Sequence, residues 1–222
     1  MRIFYDRKVL FIAVTKTAGS SIQRALDDAF GHDARWTRRN RLRRRLTLLG
    51  PLNRVGGLYR AVDFPVHVTA RTVRSCLPPQ VYDSMFKFAF VRNPWDRLVS
   101  WYGFLQKQKD HRYHQRVKGM KSFEEFLQWE TGRGDGFSQY HAVCDAGGKL
   151  IVDFIGYYER LNEDFARVCS IIGSEVTLPH LNRSVHKDYR EYYTAETREL
   201  VARHYHRDIE LFGYDFDGIA GG

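Results

Sequence analysis

A short run of small and hydroxyl-bearing residues, positions 15–21, carries groups that suit the binding of an anion. It reads Thr15-Lys16-Thr17-Ala18-Gly19-Ser20-Ser21 and lies between an apolar run and a pattern of helical spacing. Small residues let the backbone approach a ligand closely, and the first N–H groups of a helix have no partner within the helix and favour negative charge. Lysine adds a full positive charge, and the hydroxyls add donors. The candidate anion-binding residues are Lys16, Thr17, Ala18, Gly19, Ser20 and Ser21.

This segment departs from the phosphate-binding loop of nucleoside triphosphatases. That loop has the form G-x-x-x-x-G-K-[ST], with the lysine at the helix start and a neighbouring hydroxyl on magnesium. Here Lys16 lies three residues before Gly19, and Ala13 stands where the first glycine would be. An ordinary phosphate-binding NTPase is therefore disfavoured, and a plain strand-to-helix turn with an exposed lysine is the alternative interpretation.

A second segment, positions 91–100, combines an arginine with a serine. It reads Val91-Arg92-Asn93-Pro94-Trp95-Asp96-Arg97-Leu98-Val99-Ser100. If a helix begins at Pro94, Ser100 lies roughly 9 Å along its axis, so a guanidinium and a hydroxyl could hold one tetrahedral anion from two sides. The planar fork of Arg92 suits such an anion. The alternatives are an ion pair of Arg92 with Asp96 and a plain helix contact at Ser100.

Short apolar or aromatic runs, typical of buried strands, recur along the chain. They occupy Lys8–Val14, Val66–Thr69, Phe86–Val91 and Leu150–Ile155. After the first of them, apolar residues recur at helical spacing from Ile22 to Phe30, and Gly31 supplies a stop signal. A strand, a loop and a helix in succession are the opening of an α/β unit.

Helical patterns follow the later strands as well. A helix is predicted to begin at Pro94, another follows the S-x-x-E capping box at Ser122, and a terminal helix covers Thr194–Phe212. This alternation predicts an α/β fold with a parallel sheet flanked by helices. No internal repeat and no linker divides the sequence, so we expect a single domain over residues 1–222.

The 222-residue chain carries a net charge of +9 at pH 7, which suggests an anionic partner. Seven arginines and no acid stand within residues 35–45, an excursion inside the predicted domain. The run is either a solvated surface segment or a patch for an anionic glycan, a membrane surface or nucleic acid. It carries no recognisable nucleic-acid fold signature, which disfavours nucleic acid as the partner.

Cysteine spacing and apolar run length restrict the class of protein. Cys76, Cys144 and Cys169 stand far apart without CxxC spacing, so neither a disulfide framework nor a structural zinc site is expected. No uncharged apolar run approaches the roughly 20 residues of a bilayer span. The residues after Met1 contain no apolar signal core. We therefore expect a cytoplasmic protein without a transmembrane segment and without a metal.

Taken together, the two segments resemble the sulfotransferase family, most closely its carbohydrate-sulfating branch related to heparan and chondroitin sulfotransferases. Residues 15–21 and 88–100 carry the resemblance, and looser matches run through 154–156, 178–182 and 208–214. The resemblance implies a fold similar to that of P-loop kinases, with 3′-phosphoadenosine 5′-phosphosulfate (PAPS) as the cosubstrate. It also implies that sulfuryl transfer needs no metal.

Roles for individual residues follow from the resemblance. It implies that Lys16 and the backbone of Thr17–Ser21 hold the 5′-phosphosulfate, and that Arg92 and Ser100 hold the 3′-phosphate. A late basic loop is a looser match, in which Arg183 or Lys187 would touch the 3′-phosphate or the adenine side. An exposed loop without that role is the alternative.

An alcohol acceptor must lose a proton during sulfuryl transfer, which calls for a general base with a pKa near neutral. His67 lies in Pro65-Val66-His67-Val68-Thr69, where strand alternation points it away from its two valine neighbours. Heparan-type relatives carry the catalytic histidine in a similar His-Val segment, so the resemblance implies that role for His67. A hydrogen-bonded structural histidine is the alternative, and His141 and Glu159 are reserve candidates.

The predicted function is transfer of a sulfuryl group from PAPS to a hydroxyl of a carbohydrate or glycan acceptor. Transfer is in line, His67 accepts the acceptor proton, and Lys16 stabilises charge on the leaving phosphate oxygen. Two other functions stay open from the sequence. One is a nucleotide-dependent phosphotransferase on a related fold, and the other is a basic protein that binds polyanions through residues 35–45.

Overall fold

The computed structural model of the chain describes residues 1–31, 46–62, 64–179 and 187–220. Two compact units make up the chain. The sheet unit comprises Met1–Val91 and His141–Leu181, and the helical unit comprises Arg92–Tyr140 and Asn182–Gly222. Residues 35–45 and Arg183 lie outside the described residues, and the single-domain organisation stays a prediction.

Four strands form the sheet, in the order β1-β2-β3-β4. They are β1 (Arg2–Phe4), β2 (Val9–Ile12), β3 (Phe86–Val91) and β4 (Phe154–Tyr157). Strand β2 pairs in parallel with β3, and β3 with β4, so that Phe88 lies opposite Phe11 on one side and Phe154 on the other. Strand β1 runs antiparallel to β2. The predicted α/β fold with a parallel sheet is confirmed.

Aromatic and aliphatic side chains on this sheet form the core of the sheet unit. The rings of Phe11 and Phe88 stack with centroids 5.0 Å apart, and Leu26 and Phe165 from two helices complete the same buried cluster. Burial of such side chains stabilises each by about 1.5–3 kcal/mol relative to exposure. The ring of Phe90 approaches β4 so closely that a Cβ at position 156 would clash with it, which explains the glycine there.

The sheet unit contains four α-helices and two 3₁₀ helices among its described residues, apart from the short helix Gln139–Val143. The α-helices are Gly19–Phe30, Ala70–Cys76, Pro79–Asp83 and Leu161–Ile172, and the 3₁₀ helices are Leu46–Ala61 and Tyr158–Arg160. Gly31, with φ of 78°, and Gly173, with φ of 64°, follow two of these helices. The predicted stop at Gly31 is confirmed, since positive φ favours glycine.

The helical unit is built around the helix Pro94–Lys107. Its other helices are His114–Lys118, Phe123–Thr131, Ala195–His204 and His206–Phe212, with 3₁₀ turns at Asp135–Phe137 and Tyr189–Tyr192. Leu98, Trp101 and Phe126 are among the buried residues of its core. The predicted start at Pro94 and the predicted cap at Ser122, whose hydroxyl accepts the Glu125 N–H at 3.1 Å, are confirmed.

The predicted strand over Val66–Thr69 is wrong. The segment is a turn in which the Val68 N–H donates to the Pro65 carbonyl at 3.3 Å, and the Thr69 hydroxyl caps the helix Ala70–Cys76. An alternation of three residues is too short to distinguish a strand from a turn followed by a cap. His67 therefore owes its orientation to a turn and not to strand alternation.

Two other predicted boundaries are wrong. The fourth strand occupies Phe154–Tyr157 in place of Leu150–Ile155, since the chain pairs with β3 only from Phe154 onward. The predicted terminal helix is divided at Tyr205, whose backbone leaves helical geometry with φ of −102° and ψ of 24°. The predicted end at Gly213 holds, with the glycine in the left-handed region.

A buried carboxylate, that of Asp208, organises the helical unit. It is fully buried and accepts hydrogen bonds from the Ser138 hydroxyl at 2.7 Å, the Gln139 N–H at 2.9 Å and the Tyr140 N–H at 2.8 Å. The guanidinium of Arg97, also buried, lies 3.6 Å away. A buried charge with several donors and a counter-ion is stable only while those partners remain in place.

Within the described residues, no helix is both long and apolar enough to cross a membrane. The same part of the chain contains no group of three His, Cys, Asp or Glu side chains placed to bind a metal ion. All three cysteines are buried, and none of them forms a disulfide bond in the described residues.

Replacement of Asp208 by asparagine is expected to destabilise the helical unit strongly. The variant Asp208→Asn leaves the buried Arg97 without its paired carboxylate. It also replaces one carboxylate oxygen with an NH₂ group, which cannot accept a hydrogen bond from the neighbouring N–H donors. We expect a loss of about 3–5 kcal/mol in the free energy of unfolding, measured by urea denaturation.

Asp217→Asn is the matched control, because Asp217 is exposed and its ion pair with Arg190 is a surface pair. That variant should lose less than about 1 kcal/mol. Equal losses for the two variants would contradict the organising role of Asp208.

Candidate active site

The loop that follows β2 has an unusual backbone. Lys16 and Ala18 have φ values of 68° and 63°, in the left-handed region, which costs a non-glycine residue roughly 1–2 kcal/mol. Between them, Thr17 is fully buried, and its hydroxyl donates to the Val14 carbonyl at 3.1 Å. The buried threonine thus holds the loop in a conformation that its neighbours disfavour. Strain of this kind concentrates where a backbone is shaped for a ligand.

The helix Gly19–Phe30 begins directly after this loop. Its N-cap residue, Ala18, makes no side-chain capping bond, and no acid stands in the first turn. Four other α-helices in the described residues are capped by a side chain, at Thr69, Asn93, Ser122 and Thr194. Because no acidic side chain of the first turn offsets the positive end of the helix dipole, the start of this helix suits an anionic ligand.

Gly19 stands at the first position of that helix. A Cβ built there would meet nothing closer than the Ala13 Cβ at 3.6 Å, which is ordinary van der Waals contact. Packing within the protein therefore does not require glycine at this position. A ligand that approaches the backbone N–H groups would require it.

His67 lies beside the same loop. Its Nδ1 is 3.0 Å from the carbonyl oxygen of Ala13, the residue that follows β2. Because a carbonyl oxygen only accepts, Nδ1 carries the proton, and Nε2 is the unprotonated nitrogen of the neutral ring. The turn itself is anchored by the Met1 nitrogen, which donates to the Val66 carbonyl at 2.6 Å. The structure thus fixes one tautomer of the imidazole.

The protein around His67 favours the neutral form of its imidazole. Desolvation by the surrounding protein lowers the pKa of His67 below its ordinary value; the bond to Ala13 offsets part of this effect, and the positive charge of Lys16 adds to it. A neutral ring with an unprotonated Nε2 is the chemical state that a general base requires. Within the sheet unit His67 contacts Ala13, and the charge of Lys16 reaches its imidazole. The role of His67 as the base stays a prediction.

Arg92 is a buried residue of the helical unit, and it forms an ion pair. Its Nε donates to the Asp96 carboxylate at 2.7 Å, which is the pair that the sequence offered as the alternative. A guanidinium has five N–H donors, and the bond to Asp96 uses one of them. Ser100 is buried on the helix Pro94–Lys107. The ion pair orients the arginine, and the predicted contacts of Arg92 and Ser100 with a phosphate stay a prediction.

Sequence reasoning missed the residue that positions the Arg92 backbone. The side chain of Gln139 accepts the Arg92 N–H and donates to the Arg92 carbonyl, both at 2.8 Å. Gln139 is fully buried, and its own N–H donates to Asp208. No local motif indicates this contact, because the partners lie 47 and 69 residues apart along the chain.

The other candidate residues that the structure describes are exposed. His141 and Glu159 are exposed, on a short helix and a 3₁₀ turn of the chain. Lys187 is exposed and lies 3.8 Å from the Glu191 carboxylate. Arg183 falls outside the described residues, so its predicted nucleotide contact stays a prediction.

An α/β fold with a strand-to-helix loop of this kind is typical of proteins that bind phosphate groups at a helix start. Comparison with known families narrows the class. The chain matches the sulfotransferase family over residues 1–215 and belongs to it.

Individual relatives share part of the sequence or of the architecture. An uncharacterised protein of Archaeoglobus fulgidus is 34% identical over 122 residues, which span 54% of this chain and 94% of that protein. The crystal structure of mouse sulfotransferase SULT7A1 complexed with PAP is similar over 90% of this chain and 84% of that one, with 12% identity and a TM-score of 0.49. The crystal structure of a sulfotransferase from Alicyclobacillus acidocaldarius is similar over 94% and 96%, with 19% identity and a TM-score of 0.45.

His67 is expected to make the stability of the protein depend on pH. Because its folded pKa lies below the unfolded value of about 6.5, the unfolded chain binds more protons between those two values. This contribution to stability is therefore complete above pH 6.5 and is lost as the pH falls through the folded pKa. Urea denaturation at a series of pH values measures it.

The variant His67→Asn places an amide donor near the position of Nδ1 and does not titrate. It should lose less stability than the wild type when the pH falls from about 7.5 to about 5. Parallel curves for the two proteins would show that the pKa of His67 is not lowered by folding.

Proposed function

We propose that this sulfotransferase uses PAPS as its donor and a hydroxyl of a carbohydrate as its acceptor, with His67 as the general base. The observation that carries the proposal is the bond between His67 Nδ1 and the Ala13 carbonyl. It sets an imidazole with an unprotonated Nε2 beside the loop that contains Lys16. A hydroxyl acceptor needs such a base, because an alcohol is far too weak an acid to lose its proton unaided.

The donor is proposed to bind through two sets of residues, each supported by its own geometry. The loop supplies Lys16, the backbone of Thr17–Ser21 and the uncapped helix start for the 5′-phosphosulfate. Arg92, oriented by Asp96 and by Gln139, would hold the 3′-phosphate together with Ser100. Arg183 is proposed as a further contact to the nucleotide. PAPS supplies an activated sulfuryl group on a phosphate leaving group.

The residues of the chain have distinct tasks in this mechanism. His67 Nε2 accepts the proton of the acceptor hydroxyl as the oxygen attacks in line with the leaving oxygen. Lys16 stabilises the negative charge that grows on the leaving phosphate oxygen. The strained backbone at Lys16 and Ala18 is set before any substrate binds, so its N–H groups need little reorganisation during the reaction.

Binding of PAP, the desulfated product, tests the donor assignment without requiring an acceptor. PAP at about 100 times its Kd should raise the Tm of the wild type by about 5–10 °C in the presence of EDTA. In Gly19→Ala the affinity for PAP should fall at least about tenfold, because the added methyl group occupies the approach to the N–H groups. Its Tm without PAP should stay unchanged, since the protein itself has room for that methyl group.

Gly103→Ala is the matched control, because an added Cβ there meets nothing within 4 Å. That variant should keep its PAP affinity and gain up to about 1 kcal/mol of helix stability. A parallel titration with ATP and Mg²⁺ tests the phosphotransferase alternative. A Tm rise with ATP and Mg²⁺ but none with PAP would refute the assignment of PAPS as the donor.

Loss of the proposed base should slow sulfuryl transfer without weakening the binding of the donor. His67→Asn should lower kcat for sulfuryl transfer from labelled PAPS to a glycan panel by about 100- to 10,000-fold. Its affinity for PAP should stay within about twofold of the wild type, because the base does not contact the nucleotide in this proposal. Wild-type turnover in the variant would show that another group accepts the proton.

A further inference from the structure

A second concentration of positive charge, in a different part of the sequence from residues 35–45, lies on the surface of the helical unit. We name it the arginine–aromatic surface; its members are Arg112, Tyr113, Arg116, Trp129 and Arg133. The rings of Tyr113 and Trp129 pack edge to face with centroids 5.3 Å apart. The donor-binding proposal does not involve any of these residues.

Arg133 is the fixed member of this surface. Its guanidinium carbon lies 4.3 Å from the Tyr113 ring centroid and 4.6 Å from the Trp129 ring centroid. One nitrogen donates to the buried Glu130 carboxylate at 2.6 Å, and another donates to the Tyr113 hydroxyl at 2.8 Å. Stacking and hydrogen bonds together hold this guanidinium and both rings in one arrangement.

Arg112 and Arg116 extend the surface toward solvent. The Arg112 guanidinium lies 4.4 Å from the Tyr113 ring centroid, and that of Arg116 lies 5.6 Å from the Trp129 ring centroid. Both side chains are exposed. The aromatic rings thus pre-position two guanidinium groups, which reduces the entropy that an anion would otherwise lose in ordering them.

The charge around this surface is predominantly positive, with the acids Glu124 and Glu125 in the first turn of the helix that carries Trp129. Residues 107–121 contain six basic side chains and one acid, Asp110. The basic residues are Lys107, Lys109, Arg112, Arg116, Lys118 and Lys121, all of them exposed. None of the six forms an ion pair in the part of the chain that the structure describes.

The positive charge of this surface also acts on the neighbouring His111. Burial lowers its pKa, and the charges of Arg112 and Arg133 lower it further. A field that opposes protonation of an imidazole attracts anions.

We infer that the arginine–aromatic surface binds an acidic polysaccharide, a chain that presents carboxylate or sulfate groups at regular intervals. Arg112 and Arg116 would each engage one anionic group, and the exposed lysines of 107–121 would follow the rest of the chain. The choice of a polysaccharide rests on the proposed function, in which the acceptor is a carbohydrate.

The contacts favour this partner over nucleic acid and over a membrane. Single-stranded nucleic acid gains much of its affinity from bases that stack on open aromatic rings, whereas Tyr113 and Trp129 already stack with guanidinium groups. A membrane surface is favoured when apolar side chains can insert beside the basic ones. The exposed large apolar side chains of the described residues all lie outside 107–133.

Heparin, a sulfated polysaccharide, is the probe for this surface. Its affinity is measured by titration at several salt concentrations for the wild type, for Arg112→Gln/Arg116→Gln and for Arg167→Gln/Arg203→Gln. The last variant loses the same charge from exposed arginines that pair with Asp164 and Glu199. All three proteins keep residues 35–45, so that run contributes equally to each.

We expect the Arg112→Gln/Arg116→Gln variant to bind heparin at least tenfold more weakly than the charge-matched control, with a shallower dependence on salt. Its Tm and its response to PAP should match the wild type, which separates this surface from the donor site. Equal heparin affinity for the two variants would overturn the inference. So would tighter binding of single-stranded DNA or of anionic vesicles than of heparin, if that binding is lost in the same variant.

The two proposals can fail separately. If PAP does not bind but the loss of heparin affinity is found, the surface stands and the donor assignment falls. If PAP binds and heparin affinity is unchanged, the donor assignment stands and the surface proposal falls.

Discussion

The register between two buried parallel strands sets the geometry on which the candidate site depends. All four residues of β2 are buried, and they pair with β3 so that Ile12 lies opposite Ala89. Because β2 is enclosed by its neighbours, the chain must leave it by a tight turn and enter a helix that covers the sheet. That turn carries the left-handed Lys16 and Ala18, and Ala13, at its start, presents the carbonyl that binds His67.

The helical unit depends in a similar way on one buried carboxylate. Asp208 accepts hydrogen bonds from the backbone N–H groups of Gln139 and Tyr140. The Gln139 side chain in turn forms hydrogen bonds with both the N–H and the carbonyl of Arg92. A residue from the last helix thereby positions a candidate phosphate ligand more than 100 residues earlier in the chain. Asp208, Gln139 and Arg92 are all buried, so a change at one of them leaves a polar group unsatisfied.

Much of the fold was predictable, because its signals are local. The strands Val9–Ile12 and Phe86–Val91, the helix start at Pro94 and the stop at Gly31 follow from apolar runs, proline and glycine. The turn at Val66–Thr69 was not, since three alternating residues look alike in a strand and in a capped turn. The roles of Gln139 and Asp208 were hidden for another reason. Their partners are distant in sequence, and nothing near them indicates the contact.

A crystal structure of the protein with PAP bound would show whether the two candidate segments hold the donor. We expect the 5′-phosphate of PAP to lie about 3 Å from Lys16 Nζ and from backbone nitrogens of residues 19–21. We also expect the 3′-phosphate to contact Arg92 and Ser100. PAP bound elsewhere, or with neither phosphate touching residues 15–21, would contradict the proposed donor site.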